Sequence, residues 1–201
     1  MNYLLDSNNF LTKNASKYLS QNNGQVLKEL TNYINKSKHI STTSQYNNTI
    51  KKIVSIVKNI KILPSLKFSL YNKEIVSISK SAPLTEKTAW GGVSLKNVDV
   101  EKDYIRKFLV IAKHGVLGFE IHKLKHERLK ILEGVSIVLY SNHGSRNWKQ
   151  GKITVKLGVP GDKFKFLPND EHGIIALTNS VIEEKSTNHL DDLVYIFKAS
   201  F

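Results

Sequence analysis

The sequence predicts a mainly β fold, a sandwich or barrel of short strands, preceded by a basic helical extension. Two observations predict it. The apolar period changes from helical to alternating near Leu66. Beyond that point, short runs rich in Val, Ile, Phe and Tyr recur between polar turns such as AKHG, LEG, SNHGS, VPGD and LPNDEHG. At 201 residues with 40% hydrophobic content, the chain is long enough for a real core in one or two domains.

Residues 1–23 are rich in Asn and Ser and read as only partly ordered. From Gln25 to Lys36, the residues Val26, Leu27, Leu30, Tyr33 and Ile34 recur at helical spacing. Ser37 to Asn48 is polar and reads as a loop. Thr49 to Leu63 sets Ile50, Ile53, Val54, Val57 and Ile60 on one face and Lys51, Lys52 and Lys58 off it, with Pro64 as the stop. The β runs follow at 66–71, 74–79, 106–112, 116–122, 129–132, 135–140, 151–157, 163–167, 173–178 and 193–198. These runs divide the chain into a helical extension, residues 1–84, and a β-domain, residues 85–201.

Composition excludes several classes. Without cysteine there is no disulfide, thiolate nucleophile or Cys-ligated metal. No apolar run reaches membrane-spanning length and no signal-peptide pattern opens the chain, so a cytoplasmic address and no membrane partner are expected. The net charge of +13 is concentrated early: residues 1–84 hold twelve Lys, no Arg and three acids, Asp6, Glu29 and Glu74. Arg is the residue best suited to bidentate phosphate contacts, so its absence there argues against a nucleic-acid partner. There is no phosphate-cradling glycine loop or dinucleotide fingerprint. Ser141, Ser145 and Ser186 lack a nucleophile elbow. His114, His143 and His189 sit in turn contexts and read as structural.

Chemistry concentrates in GFEIHKLKHERLKILEG, residues 118–134, and in PGDKFKFLPNDEH, which ends at His172. On a strand from Val116, the residues Glu120, His122 and Leu124 share one face. A turn near Lys125 and His126 then brings Glu127 back beside His122. His172 opens a later strand, after the Pro168-Asn169-Asp170 turn. Imidazoles and a carboxylate converging from separate strands suit an open transition-metal site.

These residues also carry a family resemblance. From about Trp90 to Phe197 the chain resembles a cupin, and among cupins it looks most like the type II phosphomannose isomerase domain. The first cupin motif has two His separated by one residue, then a Glu, six residues and a Gly. His122, Glu127 and Gly134 match it, and Leu124 replaces the second His. Gly161, Pro168 and His172 match the second motif. Trp90-Gly91-Gly92 is similar to the family's opening element, and Val181 to Glu184 with Leu190 to Val194 are similar to its closing strands. The resemblance implies a cupin double-stranded β-helix, or jelly-roll barrel. It implies a divalent metal (Zn, Mn or Fe) on His122, Glu127 and His172, with His126 as a helper. It further implies sugar or sugar-phosphate isomerisation or epimerisation, as in mannose-6-phosphate metabolism, in which the ion polarises a carbonyl and a base moves a proton. Glu120 is the candidate base, and Lys125 the candidate anchor for a phosphate or carboxylate. The rival readings are a non-catalytic cupin binding a small acidic or sugar ligand, and a metal-dependent oxygenase on the same barrel. A homodimer is expected by analogy.

Overall fold

The computed structural model describes residues 2–19, 21–37, 39–58, 60–61, 86–141 and 151–199. The runs expected at 66–71 and 74–79, the boundary between residues 84 and 85, Pro64, His143 and Ser145 lie outside these residues. Two six-stranded sheets face each other. The first contains β1 (Tyr3–Asp6), β5 (Phe119–Ile121), β7 (Ser136–Ser141), β8 (Gly151–Gly158), β10 (Glu171–Ala176) and β12 (Val194–Phe197). The second contains β2 (Glu86–Thr88), β3 (Gly91–Asp99), β4 (Tyr104–Ile111), β6 (Glu127–Glu133), β9 (Lys163–Phe166) and β11 (Ser180–Ser186).

The strand order identifies the architecture. β4-β11-β6-β9 lie side by side in one sheet and β5-β10-β7-β8 in the other. Successive strands from β4 to β7 therefore alternate between sheets, which is the winding of an eight-stranded jelly roll. The space between the sheets is filled by Leu109, Leu129, Ile131, Val138, Phe166, Ile174 and Ile182.

A second core lies on the outside of the first sheet. Ile137, Leu139, Ile153, Val155, Leu157 and Ile175 face outward and pack against α1 (Gly24–Lys36) and α2 (Thr43–Val57). β10 is consequently buried along its whole length rather than alternating with solvent. Gly173 lets the helices come close: a Cβ there would stand 3.2 Å from the Tyr46 hydroxyl and 3.1 Å from the Gly118 carbonyl oxygen.

Two expectations are corrected. The N-terminal residues are ordered through β1, which pairs in parallel with β8 from Tyr3↔Gly151 to Asp6↔Thr154. The expected loop at 37–48 instead holds the start of α2. Thr42 and Gln45 form a reciprocal capping box, so the helix begins at Thr43, ahead of the apolar period that marks it. Tyr46 then adds a fully buried ring stacked on Phe197, with centroids 5.1 Å apart. Four strands, β1, β2, β3 and β11, have no counterpart among the β-rich runs, and β11 is reached only through the family resemblance. Because α2 covers the sheet, Ile53→Ala should destabilise the protein by roughly 2–5 kcal/mol. Urea unfolding followed by fluorescence would show this as a lowered midpoint at unchanged slope; a change below about 0.5 kcal/mol would mean that the helix does not contribute to the core.

Candidate metal centre

Register places the first pair of side chains. Glu120 on β5 lies directly opposite His172 on β10, so both project to the inner face. His172 Nε2 is 3.5 Å from Glu120 Oε1, and His122 Nε2 is 3.7 Å from the same oxygen. Ligand-capable atoms of Glu120, His122 and His172 all lie within 4.8 Å of one another. Glu127 joins from the facing sheet, its Oε2 2.9 Å from His172 Nε2. All four residues are buried. The His172 ring is held flat against Phe166, with centroids 4.2 Å apart and planes at 5°.

The 122–126 turn is organised by one carboxylate, Asp192. Its Oδ1 accepts from the Lys123 amide at 3.0 Å, and its Oδ2 from the Leu124 and Lys125 amides at 2.6 and 3.0 Å. These bonds hold the Asp192 carboxyl below the usual range, outweighing the opposing effect of desolvation. The Asp192 carbonyl also accepts from His122 Nδ1. A carbonyl only accepts, so Nδ1 carries the proton, and in the neutral ring Nε2 keeps its lone pair toward Glu120. Sequence reading reached Asp192 only as part of a strand motif; an Asp beside a turn carries no local sign of which distant amides it will cap.

Lys125 lies behind the ligands. It is 5% exposed, with Nζ 3.0 Å from Glu127 Oε1 and 2.8 Å from Glu184 Oε1. Burial pushes its ammonium down, but Glu127 and Glu184 outweigh that and hold it above the ordinary lysine range. Burial likewise acts to raise the Glu127 carboxyl. The charges of His172, Lys125 and His122 win and hold it well below the normal value. His172 is raised, because Glu127 and Glu120 outweigh its desolvation. Glu184 goes the other way: burial and the Glu127 charge push it up against Lys125 and Lys107. Glu127 thus takes the negative charge of the pair, and Glu184 holds a proton more readily.

Leu124 and His126 point elsewhere. Leu124 is 61% exposed, outside the cluster, because β5 ends at Ile121 and the chain turns before residue 124 can share the face of Glu120. His126 is exposed and lines a different cavity, with Arg128, Lys165 and Lys185. His122, Glu127, His172 and Glu120 are brought together, with Lys125 bound to Glu127. His114 sits in a turn at φ 67°, and His189 lies in the loop before Asp192. Of the serines, Ser186 is buried and donates to Glu184 at 3.0 Å.

The donor set fits a divalent ion. His122 Nε2 and Glu127 Oε2 are fully buried and have no hydrogen-bond partner. His172 Nε2 approaches Glu127 Oε2 to 2.9 Å as an ion pair. Converging nitrogen and oxygen donors that do not satisfy one another are what a cation would satisfy. A cavity of about 500 Å³ reaches the cluster at Glu120 and is lined also by Trp90, Lys107, Lys125, Glu184 and Tyr195, among others.

No protein-family model matches the chain, and no curated protein is significantly similar to it. Among solved structures, it is similar to an RmlC-like cupin from Shewanella frigidimarina, at 13% identity and a TM-score of 0.46, over 56% of this chain and 89% of that one. It is similar to oxalate oxidase at 15% identity and a TM-score of 0.44, over 54% of this chain and 57% of that one. It is similar to KdgF from a Halomonas species at 20% identity and a TM-score of 0.38, over 50% of this chain and 82% of that one. The strand order, rather than these distant likenesses, establishes the cupin-type jelly roll.

Two outcomes are expected. Lys125→Met leaves Glu127 and Glu184 facing each other without their cation, and should cost about 3–5 kcal/mol. Adding Glu184→Gln should recover part of that loss in a double-mutant cycle; simple additivity would count against the shared ammonium. Asp192 has a folded pKa below its ordinary value of 3.8, so its stabilisation is present above that value and is lost as pH falls through the folded pKa. Asp192→Asn should therefore flatten the fall of Tm on acidification below about pH 4; a curve parallel to that of the parent protein would contradict the clamp.

Proposed function

We propose that this protein is a divalent-metal cupin acting on a small sugar, sugar phosphate or related hydroxy acid. The observation that carries the reading is the buried convergence of Glu120, His122 and His172, joined by Glu127, next to a cavity of ligand size that Glu120 lines, with His122 Nε2 left unbonded. Those four residues would hold the ion. The set of two imidazoles and two carboxylates, with no sulfur donor, suits manganese or iron as well as zinc. When bound, the ion would supply a Lewis acid to polarise a substrate carbonyl and its neighbouring hydroxyl.

The chain supplies the rest. Trp90 and Tyr195 line the cavity and offer flat apolar faces to a sugar ring. Lys107 and Lys125 place two ammonium groups there, the first 3.1 Å from Glu184 Oε2, and give the cavity its attraction for a phosphate or carboxylate. Glu120 lies on the cavity wall and is the base for moving a proton between adjacent carbons if it leaves the ligand set. If it stays bound, Glu184 is the carboxylate next to hand. Isomerisation or epimerisation needs only that proton relay and no external oxidant.

A second reading has its own observation. The raised His172 and lowered Glu127 pair as opposite charges without any metal, as a ligand-binding cupin without catalysis would have. Elemental analysis of the purified protein separates the two. The metal reading expects about one manganese, iron or zinc per chain. It also expects metal at a hundred times its Kd to stabilise the stripped protein by about 2.7 kcal/mol, an effect lost in His172→Ala. Substoichiometric metal, with no thermal shift for any of the three ions, would leave the non-catalytic reading standing.

A further inference from the structure

The outer face of the second sheet carries a pattern that the metal centre does not use. Register sets Lys165 opposite Arg128, Arg128 opposite Lys185, and Lys185 opposite Arg106, so four cations run straight across β9, β6, β11 and β4. Arg128, Lys165 and Lys185 are exposed. Like charges directly opposite one another on neighbouring strands are destabilising, so folding alone gives no reason for this row. Only part of it is neutralised. Glu183 takes Arg106 at 2.6 Å and lies 3.9 Å from Lys185. Among the described residues, Arg128 and Lys165 have no acidic partner.

The row is also concave. Arg128, Lys165 and Lys185 line a cavity of about 320 Å³, with Lys102, His126 and Thr187. The acids at this cavity are engaged elsewhere. Asp103 Oδ1 accepts from the Asn188 amide at 2.7 Å, and the Glu127 carboxylate turns inward to Lys125 and His172. His126, fixed through its backbone amide to Thr187 Oγ1, presents its imidazole at this cavity rather than at the ligand cluster.

We infer that this cavity binds a small multivalent oxyanion of the oligophosphate class, separately from the metal centre. Arg128 supplies a planar fork for two oxygens of one phosphoryl group, and Lys165 and Lys185 supply point charges from the strands on either side, whose backbones lie about 4.8 Å away. Charge spread along a short ligand matches a row better than a single ion does. A long polyanion fits less well. In the next row Lys163 and Lys130 stand opposite each other, but Glu183 follows Lys130, so the run of four cations is not repeated.

The test is calorimetric titration of the full chain with sodium tripolyphosphate, against orthophosphate and against sodium chloride at matched ionic strength. One saturable site is expected, with orthophosphate at least about tenfold weaker. Arg128→Gln/Lys165→Gln should weaken tripolyphosphate by about tenfold or more, while Lys28→Gln on α1 leaves it unchanged. Both altered side chains are exposed, and circular dichroism melting checks that the double variant is folded. Equal affinity in the double variant, or heats no larger than those of the salt control, would overturn the assignment. So would a single-stranded RNA binding more tightly than tripolyphosphate through the same two residues, because the site would then belong to a macromolecule.

Discussion

The structure depends on burying charge between two apolar sheets in opposed pairs. An isolated carboxylate or ammonium there would cost several kcal/mol. Glu127, His172, Lys125 and Glu184 share that cost by arrangement: Glu127 Oε2 meets His172, Glu127 Oε1 meets Lys125, and Lys125 also meets Glu184. Removing any one leaves another charge exposed to a low dielectric. The cluster therefore constrains the sequence on both sheets at once, since its members come from β6, β10, β11 and the turn between β5 and β6.

Such a cluster keeps its geometry only if its supports are rigid. Phe166 fixes the plane of His172, and Asp192 fixes the turn that delivers His122 and Lys125. The helical segment supports from the other side. It covers the outer face of the first sheet, so β10 carries apolar packing at Ile175 on one face and His172 on the opposite one. β10 can hold a polar inner residue because its outer face is anchored by an apolar core rather than by solvent.

Much of this was legible in the residues, for identifiable reasons. Short β-rich runs between polar turns exposed most strands from 104 onward, and alternation was plainest where one face is buried and the other wet. β6 is the clearest, with Arg128 and Lys130 out and Leu129 and Ile131 in. Spacing around Gly134 and His172 pointed to residues that the fold brings together, His122, Glu127 and His172, because the turns that position them are local. What stayed hidden depends on distant partners. β1 is four residues long and becomes a strand only by lying beside β8. The start of α2 is set by a polar capping pair, not by apolar period. Asp192 and Glu184 acquire their roles from amides and an ammonium more than fifty residues away in sequence.

Leu124 shows the limit most clearly. Extrapolating strand parity through His122 puts residue 124 on the ligand face, and an apolar side chain there reads as a missing ligand. The strand stops at Ile121, however, and Asp192 draws the 123–125 amides into a turn, which sends Leu124 to solvent. The oxygen facing His122 and His172 comes from the opposite direction along the chain. Glu120 is placed by its register with His172, a relation between β5 and β10 that no spacing within the 118–134 stretch encodes. The cluster is thus assembled by cross-strand pairing rather than by motif, and a motif read residue by residue overlooks a neighbour that the fold supplies.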